Sequence, residues 1–419
     1  MASLGGRVKN KILFKGPLLT RSGYGEQSRF AIRALRSRED LFDIYIQPLE
    51  WGKTSWISEE GDERNWIDAT IEKTIAFIQQ GGQFDGSFQV TIPNEWEPLA
   101  PINIGFTAGM ETTKVAAPWL QKGNDVDGII VVSHHSKKTY EETVYIAENQ
   151  NTKEQMEYTL QTPITVVNYP VKTIDEYPNL SLKLDYDFNF LLMAQMGPRK
   201  NVANTIKWFI EEFKDEEVGL VVKTNMSKNC LMDREKTFND FQMLVRSLPA
   251  HKCKVYLLHG DMDDDEIHSL YVHPQVKSLL TLTHGEGFGL PIFEAAYSGL
   301  PVVAPGWSGQ LDFLVNKKTG KSEFFNVEYD IQPIPEAVVW EGVIVKESMW
   351  AYPREHSAKQ KMRECYANYD EATAVAEQLK VRLYEEFSEE KQNALMVETV
   401  CNILGIPTEK QEDQVVEFE

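Results

Sequence analysis

Thr283-His284-Gly285-Glu286-Gly287-Phe288-Gly289-Leu290-Pro291-Ile292-Phe293-Glu294, running on through Ala295-Ala296-Tyr297-Ser298-Gly299-Leu300-Pro301-Val302-Val303-Ala304, is the stretch that decides the fold of this chain. It predicts a strand, a glycine loop, a helix and a second strand. Residues 278–282 form a short apolar run that suits a buried strand. Gly287 and Gly289 free the backbone at its end, and Pro291 belongs in the first turn of a helix, where a missing N–H costs nothing and its fixed φ is already helical. The helix is expected over residues 292–298, with Gly299 as its stop. Unpaired amides at such a helix start, together with the helix dipole, favour an anion such as phosphate. Glu286 and Glu294 would repel that anion on direct contact. Their natural partners are neutral hydroxyls, because a carboxylate accepts from O–H groups. An ordinary turn with solvated or salt-bridged glutamates is the alternative, and spacing, glycines, proline and flanking strand together favour the ligand site.

Two glutamates separated by seven residues around Gly-Phe-Gly-Leu-Pro, then Glu-Ala-x-x-x-Gly-Leu-Pro-Val-Val-Ala, resemble the donor site of retaining GT-B glycosyltransferases of family 4. The resemblance implies an α/β fold of two Rossmann-like domains facing each other across a cleft, with a C-terminal helix returning to the first domain. It implies transfer of a sugar from a nucleotide-diphosphate donor (UDP, GDP or ADP sugar) to an acceptor hydroxyl with retention, and no metal. Glu294 would hold the ribose diol and Glu286 would lie beside the sugar, with Gly287, Phe288, Gly289 and Leu290 near the sugar and diphosphate. Gln195-Met196-Gly197-Pro198-Arg199-Lys200-Asn201 is similar to the family's Gly-Arg-x-x-x-x-Lys-Gly element. Lys200 matches its lysine, but Ala194 stands where its arginine is expected. A second cation is then needed to offset the diphosphate, and Lys223, with Arg199 behind it, is the candidate; a surface lysine is the alternative for Lys223. In the first half, Gly23 and Gly25 follow the strand at 11–16 and are binding candidates or a plain tight turn. Glu111, after the strand at 102–107, would face the acceptor. At most one of His134 and His135 is expected to face the cleft, and the turn at 305–310 is a candidate lining of the sugar pocket.

Length and composition agree with this reading. The 419 residues suit two domains of about 180–200 residues each. The boundaries are expected at 1–180, 181–390 and a closing helix and acidic tail at 391–419, with Pro170, Asp175, Glu176 and Pro178 marking the hinge. A net charge of −20 disfavours broad contact with DNA or an anionic membrane. Arg29, Arg33, Arg36, Arg38 and Lys137-Lys138 form local basic clusters that a solvated helix face explains. No apolar run is long enough for a membrane span and no signal-peptide core follows the start, so a cytoplasmic protein is expected. Cys230, Cys253, Cys365 and Cys401 are far apart, which argues against zinc and for free thiols. The acidic run at 261–266 is read as a helix cap at Asp263 rather than a calcium loop, and residues 148–157 as an exposed turn or loose helix end.

Two other readings stay open: a GT-B scaffold that binds a nucleotide or partner without catalysis, hinted at by the missing arginine, and a transferase acting on a macromolecule such as hydroxylated phage DNA. If the donor site is correctly placed, Glu286→Gln and Glu294→Gln each lower turnover roughly a hundredfold or more in a steady-state transfer assay. At the level of sequence, neither change is expected to move the melting temperature.

Overall fold

The computed structural model describes residues 9–52, 54, 56–57, 60–148, 151–174 and 177–407. Asp175, Glu176 and the acidic tail lie outside them. The first half alternates β1 (Asn10–Gly16), α1 (Gly23–Arg36), β2 (Phe42–Pro48), α2 (Asp62–Gln79), β3 (Gly86–Val90), β4 (Ile102–Thr107), α3 (Ala117–Asn124), β5 (Gly128–Val131) and α4 (His134–Glu142). A hairpin of β6 (Tyr145–Glu148) and β7 (Gln155–Tyr158) precedes β8 (Ile164–Val166). The exposed turn expected over 148–157 is borne out at residues 151–154, while Glu148 and residues 155–157 belong to the paired strands on either side, Tyr145↔Tyr158 to Glu148↔Gln155, which period-2 patterning was too short to signal.

The second half repeats the plan with β9 (Asn189–Met193), α5 (Val202–Phe213), β10 (Gly219–Lys223), α6 (Leu231–Arg246), β11 (Lys254–Leu258), α7 (Asp264–Tyr271), β12 (Val276–Leu280), α8 (Leu290–Tyr297), β13 (Val302–Pro305), α9 (Leu311–Leu314) and β14 (Phe325–Val327). An antiparallel pair, β15 (Tyr329–Pro333) and β16 (Met349–Pro353), is followed by α10 (Glu355–Ala367), α11 (Tyr369–Glu386) and α12 (Glu389–Leu404). The two six-stranded sheets are parallel, in orders β2-β1-β3-β4-β5-β8 and β11-β10-β9-β12-β13-β14. Runs such as Gly128-Ile129-Ile130-Val131 are buried throughout, as strands covered by helices on both faces must be.

Each order reverses between neighbouring strands that lead to opposite sides, β1 and β3 in one sheet, β9 and β12 in the other. Loops leaving such a pair diverge and open a crevice at the carboxyl ends of the strands. The last helix packs on α1 of the first half. Glycines leave room for it: a Cβ on Gly86 would sit 2.7 Å from Leu404 Cδ2, and one on Gly128 2.5 Å from Ile403 Cδ1.

Between β15 and β16 an arm crosses back to the first half. Val343 enters the core of Trp96, Val115 and Trp119, Asn94 Nδ2 donates to the Gly342 carbonyl (3.1 Å), and the Met349 amide donates to Thr113 Oγ1 (3.0 Å). The base of the arm fixes His284, whose ring stacks on Trp350 (5.5 Å) while its amide and carbonyl bond Arg199 O (2.8 Å) and Ala351 N (3.1 Å). Shortening the anchoring side chain in Val343→Ala is expected to cost about 2 kcal/mol, read as a lower urea midpoint at unchanged slope.

Candidate functional site

The crevice of the second sheet holds the predicted loop. β12 delivers Glu286 and β9 delivers Arg199 and Lys200, so residues 86 and 87 positions apart in sequence meet at the switch point. Lys200 Nζ donates to Glu286 Oε1 (2.6 Å), and Arg199 Nη1 donates to Glu286 Oε2 (3.1 Å) and to the Gly285 carbonyl (2.6 Å). Arg199 Nη2 also reaches Glu111 Oε1 of the first half at 3.3 Å. Burial would raise the Glu286 carboxyl, but Lys200 and Arg199 hold it down at about 2. Burial lowers the Lys200 ammonium against the pull of Glu286.

Local geometry explains the glycines. Gly289 is the helix N-cap at φ +97°. Gly285 and Gly287 serve close approach: a Cβ at either would lie 2.2 Å from a carbonyl of the opposite half, Glu111 O and Ala108 O respectively. The Glu286 backbone is gripped from behind, its amide donating to Ser308 Oγ (2.9 Å) and its carbonyl accepting from Gly309 N (3.0 Å). No intramolecular acceptor is found among the described residues for the N–H groups of Gly287, Phe288, Gly289 and Leu290. These four residues line a cleft of about 600 Å³ between the halves, with Ser22, Gly23, Tyr24, Trp51 and Glu111 from one half and Lys200, Asn225 and Lys228 from the other.

Glu294 opens on a second cavity of about 360 Å³, which shares Tyr169 and Leu290 with the first. Tyr271 donates to Glu294 Oε2 (2.9 Å). Burial pushes the Glu294 carboxyl up to about 7, against Lys172 and the Tyr271 bond and with help from Glu26 and Asp264. Lys172 bridges Glu26 (2.7 Å) of the first half and Asp264 (3.0 Å) of the second above it.

Other expectations land differently. Gly23 and Gly25 lie inside the first turn of α1, capped by Ser22, rather than in a turn before it; Gly25 is needed because a Cβ would lie 2.0 Å from Thr20 O. Lys223 does not line the cleft: Nζ donates to the Gly260 carbonyl (2.5 Å). His134 bonds Asp312 (2.9 Å), and His135 packs edge-on to Trp307, its ring pushed down to about 4 by burial; neither lines the cleft. The 305–310 turn supports Glu286 rather than lining the cleft. Asp263 is the cap expected, with a complete capping box. Arg29, Arg33, Arg36 and Arg38 are ion-paired with Glu26, Glu63, Glu39 and Asp40, so they form no open basic stripe. No group of His, Cys, Asp and Glu suited to a metal occurs among the described residues. Sequence reading missed the Arg199–Glu111 bridge and the Lys172 network, whose members are far apart in the chain and carry no spacing signal.

No protein-family model matches the chain. It is 30% identical over 118 residues to the serotype-specific mannosyltransferase WbdA of Escherichia coli, a stretch covering 27% of this chain and 13% of that protein. The chain therefore spans a small part of the length of the curated relatives it matches. Among solved structures, sucrose-phosphate synthase from Thermosynechococcus elongatus aligns with a TM-score of 0.61 at 11% identity, over 95% of this chain and 100% of that one. HepE from Anabaena, in complex with UDP-glucose, aligns at 0.59 and 13%, over 94% and 100%. A glycosyltransferase from Rickettsia africae aligns at 0.57 and 16%, over 94% and 99%. The chain has the GT-B fold.

The buried ion pairs change the stability expected of Glu286→Gln. With Glu286 neutral, Lys200 loses its carboxylate partner and Arg199 keeps only Glu111, and unfolding at pH 7 should cost about 2–4 kcal/mol less than in the parent. Because the native carboxyl is depressed, that contribution is present above its ordinary range and disappears as pH falls toward 2. Glu294 has the opposite sign. Its raised value means the native state holds an extra proton between the ordinary carboxylate range and about pH 7, so its contribution weakens as pH rises through that window. Glu294→Gln should match the parent in melting temperature at pH 5 and exceed it at pH 8.

Proposed function

We propose that this chain is a retaining glycosyltransferase that moves a sugar from a nucleotide-diphosphate donor to an acceptor hydroxyl. The observation that carries the reading is the run of unpaired amides at 287–290, set between Lys200 and Glu286 on one side and Glu294 on the other. Backbone donors and a helix start suit a diphosphate that gains charge as it leaves, and preorganised donors in a shielded cleft stabilise that charge without rearrangement. Glu294, one helical turn on and facing the adjoining cavity, suits the ribose hydroxyls. Glu286, held ionised, suits the sugar side, where positive charge develops at the anomeric carbon. Glu111 lies across from it on the acceptor side, joined through Arg199.

No covalent nucleophile is assigned. A front-face displacement, with the leaving phosphate helping to take the acceptor proton, fits this set of groups. We place the domain boundary near residue 180, between β8 and β9, with the closing helix as the third unit. Free cysteines, three of them buried, accord with a cytoplasmic setting, and no helix among the described residues is long and apolar enough to cross a membrane. UDP-glucose in the HepE complex makes uridine donors the first to try.

A thermal-shift and hydrolysis screen across UDP-, GDP- and ADP-sugars tests the reading. One donor should raise the melting temperature and be hydrolysed slowly without acceptor, and Lys200→Met should lower kcat with that donor roughly a hundredfold. Binding without hydrolysis or transfer would leave a nucleotide-binding scaffold, and no binding at all would remove the proposal.

A further inference from the structure

The four charged groups at the switch point, Glu111, Glu286, Arg199 and Lys200, balance one another and are already paired. A diphosphate entering beside them brings negative charge with no uncommitted partner in that cluster, and Lys223, the cation expected from sequence, is turned away to Gly260. Facing the cleft from its outer wall is the loop after β10, with Asn225, Ser227, Lys228 and Asn229 among the lining residues. Lys228 is exposed, it lines the cleft, and no partner for its Nζ is found among the described residues.

That loop is wound around a single buried carboxylate. Asp233, in the first turn of α6, accepts from three consecutive amides, Met226 (3.0 Å), Ser227 (2.7 Å) and Lys228 (2.9 Å). It also accepts from Thr237 Oγ1 (3.1 Å), and His259 Nε2 at the end of β11 lies 2.8 Å from its Oδ1. The side chains of Asp233 and His259 are almost wholly buried. A carboxylate that saturates three successive N–H groups fixes the backbone of those residues, and removing its charge leaves buried donors short of an acceptor. Such a device is more than a helix cap needs, since a cap satisfies one or two amides.

We infer that Asp233 and His259 are positioning residues that hold the 225–229 loop so that Lys228 meets the donor diphosphate, in the place of the cation missing at Ala194. This rests on the glycosyltransferase reading above. The diphosphate would then lie between the amides of 287–290 and an ammonium brought in from a different loop. The Thr237 and Ser227 hydroxyls also donate to Asp233, and Lys223 bonds the carbonyl of Gly260, the residue after His259.

Calorimetric titration with UDP, GDP and ADP, each against its monophosphate, provides the test on the full chain. With whichever diphosphate the parent binds, Lys228→Met should raise Kd about tenfold or more and move the monophosphate far less, whereas Lys228→Arg should restore most of the affinity. Asp233→Asn should weaken the diphosphate several-fold in the parent, yet less than twofold when Lys228 is already Met, because its effect passes through that lysine. His259→Gln, milder for the fold, should follow the same pattern if Asp233→Asn does not yield folded protein. Equal diphosphate affinity in Lys228→Met and parent overturns the lysine's role. Equal losses from the Asp233 or His259 change in both backgrounds overturn the positioning role. A parent that binds none of the three nucleotides counts against the glycosyltransferase reading itself, which separates the two failures.

Discussion

Everything at the centre of this molecule depends on keeping Glu286 ionised inside a protein. A carboxylate cannot be taken out of water without opposite charge close by, and the fold supplies two cations from the neighbouring strand end. That requirement places the Arg199–Lys200 turn against the glycine loop and recruits Glu111 from the other half to share Arg199. The contact of the two halves through Arg199 and Glu111 follows from it. A pair of strands that diverge at a switch point is the one place in such a sheet where both loops can come together.

The glycines of the loop therefore carry two separate loads. Gly289 lets the chain enter a helix in a left-handed conformation. Gly285 and Gly287 have no Cβ because backbone of the opposite half occupies that space. A phosphate cradle and an interdomain contact are written in the same few residues, so pattern alone could not separate them.

This is also where reading the sequence succeeded and stopped. The parallel α/β plan, the helix at 202–213 and the presence of Glu286 and Lys200 in one cleft were legible, because strand and helix periods, a proline and a glycine run are local signals. Glu111 was legible as a cleft residue from its place after a strand. Lys223 was misjudged as a cleft cation because a strand-end lysine can turn either way, and only the position of the Gly260 carbonyl decides it. Asp233 and His259 are 26 positions apart and serve a loop between them in space, which no spacing rule encodes. The arm between β15 and β16 was invisible for a related reason: its apolar residues are few, and their partners, Trp96, Val115 and Trp119, lie in the other half of the chain.

That arm sets the mechanics of the molecule. Two halves joined only by a linker and a returning helix would swing about one side of the crevice. Here a further tether, anchored by Val343 and Met349, ties the first half to the same strand that braces His284. Rotation that widened the entrance would have to drag β16 with it and tilt the imidazole stacked on Trp350, so the gape of the molecule and the set of its reaction centre are geared to one another.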